Sequence, residues 1–136
     1  MEFILIDYSN VYFEGMAKKS IPENRSGKFV LICSEDKEFL ILSPQELSIY
    51  HANIVERFCS LRKIEGAFNL KRDHFKIFNS NWNVLGGGRW EIKGAKKVIR
   101  LFGASKAYGR FDSRGLKEKI RTVKGLVDFR VIVNPC

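Results

Sequence analysis

A near-continuous apolar run at residues 28–34 (KFVLICS) constrains this chain more than any other feature. A run without polar alternation is typical of a strand covered on both faces, because neither face can be left to water. The strand should therefore lie inside a sheet that has other parts of the chain packed on each side. Further strands are predicted at residues 3–7, 39–42, 75–85, 98–102 and 126–133, and around Trp90 and Ile92.

Two helices are predicted to cover this sheet. Residues 43–46 (SPQE) have the form of a capping box with proline at the first helical position, which predicts a helix from Ser43 to about Leu61 or Lys63. Its apolar positions recur at helical spacing, namely Leu47, Tyr50, Ile54, Phe58 and Leu61. A second helix is predicted to be capped by Asp112 or Ser113 and to end near Gly125, with an apolar stripe of Leu116, Ile120 and Val123.

The predicted fold class is α+β, a mixed β-sheet flanked by two main helices. The element order is β-β-α-β-β-α-β, preceded by an extra N-terminal strand. At 136 residues the chain is expected to form one domain, residues 1–136, with residues 1–27 as an N-terminal extension that includes a polar loop or arm at 15–27. A run of three glycines at 86–88 is expected to break the strand that precedes it.

The cysteines and the N-terminus bear on the cellular compartment. Cys33, Cys59 and Cys136 are odd in number and form no CxxC pair, which argues against a disulfide framework or a zinc site. Cys33 and Cys59 lie in apolar runs and are predicted to be buried thiols. The N-terminus lacks the basic start of a signal peptide, and no run reaches the length of a membrane span. We therefore expect a cytoplasmic protein without a membrane partner.

The net charge of +9, from 24 Lys and Arg against 15 Asp and Glu, favours an anionic partner. Phosphate, nucleic acid and acidic membrane surfaces all fit this charge. Basic runs at 96–97 and 117–121 could bind RNA if Tyr12, Phe13 and Trp82 stack on bases. These runs are equally typical of solvated faces of helices and strands.

Four short segments could carry chemistry. The glycines of residues 85–89 (LGGGR) could bring bare backbone close to an oxyanion with Arg89 as a bidentate cation, or could form a simple bulge. His51 could be an acid–base group or a packed core residue. Residues 103–109, with glycine at each end, could form an anion-binding loop or an ordinary surface loop. Lys28 alone is an exposed lysine at a strand entry.

Together these segments resemble the phosphohistidine phosphatases, the Janus/ocnus family. The resemblance lies in the strand KFVLI at 28–32, the motif YHANI at 50–54, LGGGR at 85–89 and the loop FGASKAYG at 102–109, in the same order and at similar spacing. It covers about residues 28–133. Asn53 stands where the family often has Asp, which would lower the pKa of His51 if that carboxylate tuned it.

The resemblance implies a hydrolase that removes phosphate from phosphohistidine without a metal or other cofactor. Its substrate would be a phosphohistidine-bearing protein or a small phosphoramidate, with a non-catalytic module for RNA or phosphorylated partners as the alternative. Carried over to this chain, His51 would be the catalytic base or proton shuttle. The phosphoryl group would be bound by Lys28, Arg89, Ser105 and the amide of Ala107, with the backbone at Gly86, Gly87 and Gly88 passing close by. Lys106 and Arg110 would add positive charge around the loop.

Overall fold

The computed structural model describes residues 1–135, and Cys136 lies outside them. The strands are β1 (Glu2–Asp7), β2 (Asn24–Cys33), β3 (Lys37–Pro44), β4 (Gly66–Phe68), β5 (Phe75–Ile77), β6 (Asn83–Lys93), β7 (Val98–Gly103) and β8 (Arg130–Pro135). The α-helices are α1 (His51–Arg62) and α2 (Leu116–Arg121), and a short π-helix spans Asn10–Met16. Within the described residues, no helix is long and apolar enough to cross a membrane.

Six strands form one sheet in the order β1-β3-β2-β6-β7-β8, and β4 pairs with β5 in a small second sheet. The outermost pairs, β1 with β3 and β7 with β8, are parallel, whereas the inner pairs are antiparallel. The predicted α+β class, a mixed sheet with two main helices, is confirmed. The apolar run of β2 lies near the centre of the sheet, as a strand buried on both faces must.

The core lies in two layers, one on each face of the sheet. Alternate residues of β2 point to opposite faces, so that Phe29 and Leu31 pack in one layer and Val30 and Ile32 in the other. The first layer is closed by α2 and includes Trp90. The second is closed by α1. The α1 face is the one that carries the candidate site.

Helix α1 begins at His51, so the prediction that it starts at Ser43 is wrong. Ser43 and Pro44 are still part of β3, where they pair with Lys28 and Gly27 of β2. The pairing with β2 holds this segment extended, and the local helix signal is overridden by the sheet. The capping role belongs instead to Asn53, whose Oδ1 accepts a 2.9 Å hydrogen bond from the backbone N–H of Tyr50.

The glycine run does not break a strand. β6 continues through all three glycines and pairs with β2, placing Gly87 opposite Val30 and Gly88 opposite Phe29. The ladder is irregular only between Leu31 and Ile32, where β6 carries an extra residue. The predicted strand at 75–85 is instead two elements, β5 and the start of β6, because a turn separates them.

Several other predicted boundaries are corrected by tertiary pairing. The predicted loop at 15–27 is too long, because residues 24–27 pair with β6 as the start of β2. Gly115, with φ of +74°, caps α2 in place of Asp112 or Ser113. That helix ends at Arg121, and turns precede β8, which therefore starts later than predicted. Cys59 is buried as expected, but Cys33 is only half-buried.

Replacing Gly86 by Ala should destabilise the fold strongly. Gly86 has φ of +126°, and a Cβ there would collide with the carbonyl oxygen of Arg110. We expect a loss of about 2–5 kcal/mol, from about 1–2 for the disfavoured backbone and about 1–3 for overpacking, measured by urea unfolding. Gly109→Ala is the control, because a Cβ at its φ of +83° meets nothing within 4 Å. Equal losses in both variants would contradict the close approach at Gly86.

Candidate active site

A cleft of about 720 Å³ opens on the α1 face of the sheet, where the N-terminus of α1 meets β2, β6 and the loop after β7. It brings together residues from five separate segments of the sequence. The residues that line it are Lys28, Ile49, Tyr50, His51, Asp73, His74, Arg89, Ala104, Lys106 and Ala107.

His51 is the first residue of α1, and its imidazole lies against β6. Only 8% of the residue is exposed, and its Nε2 is 2.8 Å from the carbonyl oxygen of Gly88. A carbonyl can only accept, so Nε2 must carry the hydrogen. In the neutral ring Nδ1 is then left with the lone pair. The sequence left open whether His51 is a packed core residue or an acid–base group. The residue is buried, as a core histidine would be, and it is also part of the cleft wall.

Gly87 allows this approach of His51 to the strand. A Cβ at Gly87 would lie 3.0 Å from Cδ2 of His51 and 2.5 Å from the carbonyl oxygen of Phe29. The Cδ2–Nε2 edge of the imidazole therefore rests on bare backbone. Nδ1 is the ring atom opposite that edge, so the free lone pair points away from β6.

Lys28 and Arg89 lie side by side on the same face of the sheet. They are register partners in the β2–β6 ladder. The Val30–Gly87 pair, which lies below His51, is two positions further along the two strands, so both pairs face the same side of the sheet. Burial, and then the charge of Arg89, lowers the pKa of Lys28. Two adjacent cations with no carboxylate hydrogen-bonded to either, among the described residues, form a place for an anion.

The electrostatics of this face favour a neutral His51. Burial is the largest cause that lowers the pKa of His51 below its ordinary value of 6.5. The charges of Lys28 and Arg89 lower it further, while the hydrogen bond to Gly88 opposes them. The ring is therefore held as a base at neutral pH, next to the two cations.

The loop after β7 forms part of the wall of the same cleft through Ala104, Lys106 and Ala107. Ser105 and Gly109 close it by exchanging backbone hydrogen bonds of 3.1 and 2.8 Å. Within residues 1–135, the N–H groups of Lys106 and Ala107 at its tip have no protein acceptor. Free amides in a turn form a concavity suited to an anion.

Ser105 itself lies behind the loop. It is 4% exposed and does not line the cleft, and its Oγ accepts a 3.1 Å hydrogen bond from the backbone N–H of Tyr108. Its hydroxyl therefore holds the turn that presents Ala107. The geometry favours an indirect contribution from Ser105 to anion binding.

Of the predicted residues, the cleft wall includes His51, Lys28, Arg89 and Ala107, and two glycines contact the His51 ring from below, Gly87 and Gly88. Gly86 is different, because its Cα faces the backbone of Arg110 and Phe111. Its lack of a side chain leaves room for the backbone of Arg110. Arg110 is not among the lining residues.

Sequence reasoning missed the part of the wall formed by Asp73 and His74. The phenol of Tyr108 fixes this segment, because its oxygen donates to the carbonyl of Phe75 at 2.7 Å and accepts from the N–H of Phe75 at 2.9 Å. Burial is the main cause that raises the pKa of Tyr108 to about 12. The only signal in the sequence was that His74 is one of two histidines.

The aromatic residues expected to stack on RNA bases are mostly committed to the fold. Phe13 is 2% exposed, and Trp82 packs on Phe39 and Phe58 with ring centroids 5.9 and 5.6 Å apart. Two lysines of the basic runs are also paired, Lys97 with Asp128 and Lys119 with Glu38. These contacts weaken the nucleic-acid alternative. Residues 1–135 contain no cluster of three metal-ligating side chains.

Residues 16–125 match the model of the Janus/Ocnus family (Ocnus). The match begins before the resemblance noted from the sequence motifs and ends before β8, and it contains every residue that lines the cleft. No curated protein was found to match the chain.

Titration of His51 should show its neutral state directly. We expect NMR to give its midpoint below the ordinary 6.5, and the Lys28→Gln variant to raise that midpoint by removing a nearby positive charge. The midpoint should stay below the ordinary value, because burial is the larger cause and Arg89 remains. Lys96→Gln, an exposed lysine outside the cleft, is the control and should cause no shift. A midpoint at or above the ordinary value would contradict this account of the site.

Proposed function

This chain belongs to the Janus/Ocnus family, and on that premise we propose that it is a metal-independent hydrolase that removes phosphate from phosphohistidine in proteins or small molecules. The single observation that carries the proposal is that the imidazole of His51, hydrogen-bonded to Gly88, lines one cleft with Lys28 and Arg89. A base can activate the attacking water, and two cations can stabilise the charge on the phosphoryl oxygens during transfer.

The phosphoryl oxygens would bind where the positive groups converge. Arg89 supplies a planar guanidinium that can hold two oxygens, and Lys28 beside it adds a second charge. The free amides of Lys106 and Ala107 would complete the site from the loop. Phosphoryl transfer depends mainly on positioning and charge stabilisation, so these groups suit the reaction.

His51 would act on the attacking water. Nδ1 accepts a proton from water as the water oxygen bonds to phosphorus, while Nε2 keeps its hydrogen bond to Gly88. That bond fixes both the ring and its tautomer before substrate arrives. General base assistance of this kind contributes about 10²–10⁴-fold to rate.

A phosphoramidate suits this limited machinery better than an ordinary phosphate ester. Its P–N bond is labile, and the imidazole leaves readily once it is protonated. The cleft therefore needs one base, a set of anion contacts and a proton for the leaving nitrogen. Its volume of about 720 Å³, and the exposed Ile49 and Tyr50 on its wall, leave room for a histidine side chain on a protein or peptide.

Asn53 is compatible with this function. Its side chain caps α1 through Tyr50 and has no hydrogen bond to His51 among the described residues. The low pKa of His51 has burial and the two cations as its causes. The proposal therefore does not require a carboxylate at position 53. We also propose that the protein works in the cytoplasm, because a reducing compartment suits the free thiols of Cys33 and Cys59.

The test is release of phosphate from phosphohistidine in the presence of EDTA. The wild-type protein should be active, and His51→Ala should lose about 10²–10⁴-fold in kcat/KM because the base is gone. Lys117→Ala, an exposed change on α2, should keep full activity. Wild-type protein without activity on phosphohistidine, or His51→Ala with full activity, would refute the proposal.

A further inference from the structure

The reaction just proposed leaves one proton unassigned. His51 takes a proton from water, but the imidazole that leaves phosphorus must also gain one at nitrogen. His51 cannot supply it from Nε2, because that hydrogen is bonded to the carbonyl of Gly88. Nδ1 faces the attacking water, and in an in-line displacement the leaving nitrogen departs on the opposite side of phosphorus. The cleft wall contains the only other histidine of the chain, His74, which has no part in binding the phosphoryl group as described above.

The backbone of His74 is fixed by a closed turn. Its N–H donates to Oδ1 of Asn69 at 3.2 Å, and its carbonyl accepts from the N–H of Asn69 at 2.9 Å. The next residue, Phe75, is held by the phenol of Tyr108. The position of His74 is thus set from both sides.

The ring of His74 is held by stacking. It lies on the ring of Tyr108 with centroids 4.7 Å apart and planes inclined by 36°. Within residues 1–135, neither of its ring nitrogens has a hydrogen-bond partner, in contrast to His51. The imidazole is therefore positioned without using either nitrogen, and both are available to a ligand in the cleft.

Tyr108 also connects His74 to the anion-binding loop. Its backbone N–H bonds Oγ of Ser105, so the same residue shapes the turn that presents Lys106 and Ala107 and supports the His74 ring. A phosphoryl group on those amides would therefore share the cleft with the ring of His74.

We propose that His74 is the general acid that protonates the leaving nitrogen of the phosphoramidate, an inference that rests on the proposed function. As the water oxygen bonds to phosphorus, its proton passes to Nδ1 of His51. The P–N bond breaks with its electron pair on nitrogen, which takes a proton from the His74 imidazolium. His51 then releases its proton to solvent and His74 regains one, so both residues return to their starting states.

Imidazole is the suitable group for this step. An imidazole can take up a proton at nitrogen and give it to a reacting atom, and histidine is the commonest general acid and base in enzymes. The guanidinium of Arg89 is already assigned to the phosphoryl oxygens. Asp73, the neighbouring carboxylate, accepts a 2.7 Å hydrogen bond from Nδ2 of Asn69 and thereby stabilises the turn.

The test compares two substrates that differ in their need for an acid. Phosphohistidine requires protonation of its leaving nitrogen, whereas para-nitrophenyl phosphate releases a stable anion without a proton. His74→Phe keeps an aromatic ring for Tyr108 but cannot donate a proton. We expect it to lose about 10²-fold or more in kcat on phosphohistidine and less than about threefold on para-nitrophenyl phosphate. His74→Gln should show the same selective loss.

Lys71→Gln, an exposed change in the same turn segment, is the control and should leave both activities unchanged. Equal losses on both substrates in the His74 variants would show a structural role and overturn the inference. Full activity of these variants on phosphohistidine would also overturn it while leaving the proposed function intact. Wild-type protein inactive on phosphohistidine would instead refute the proposed function and, with it, the role of His74.

Discussion

The hydrogen bond between Nε2 of His51 and the carbonyl oxygen of Gly88 is the contact on which the site depends. It joins the first turn of α1 to the centre of the sheet and sets the tautomer of the imidazole. The contact exists only because Gly87 carries no side chain, since a Cβ would lie 3.0 Å from the ring. The three glycines therefore belong to a continuous strand whose surface is left bare where the helix docks.

The same arrangement determines the charge of the site. Docking buries His51, and burial favours the neutral ring. Lys28 and Arg89 then act in the same direction, because the β2–β6 register places them together on the α1 face. A protein with a net charge of +9 has many exposed cations. What distinguishes these two is that they share a cleft with a base and with free backbone amides.

The elements that the sequence predicted well are those dominated by one local pattern. The apolar run of β2 and the alternation of Trp90 and Ile92 both lie where their burial requires. The start of α1 could not be predicted, because the capping pattern at Ser43 competes with a β-ladder to Lys28 that only the folded chain forms. The prediction that the three glycines break a strand was wrong for a similar reason. Glycine is needed there because the backbone packs against residues distant in sequence, such as Phe29, Phe102 and Arg110.

The site residues likewise divide into those that local motifs predicted and those that depend on contacts between distant parts of the chain. His51, Lys28, Arg89 and Ala107 were predicted through a resemblance between motifs, and the fold brings them to one cleft. His74 could not be found in this way, because its place depends on Tyr108, which reaches across 33 residues to hold Phe75. Ser105 was predicted to bind phosphate directly, whereas its hydroxyl supports the turn from behind.

The central claim is that this cleft is a phosphoryl site, and a crystal structure with orthovanadate tests it most directly. Vanadate should be bound by Lys28, Arg89 and the amides of Lys106 and Ala107, with an oxygen within hydrogen-bond distance of Nδ1 of His51. Vanadate bound elsewhere, or a cleft that stays free of it at saturating concentration, would contradict the claim.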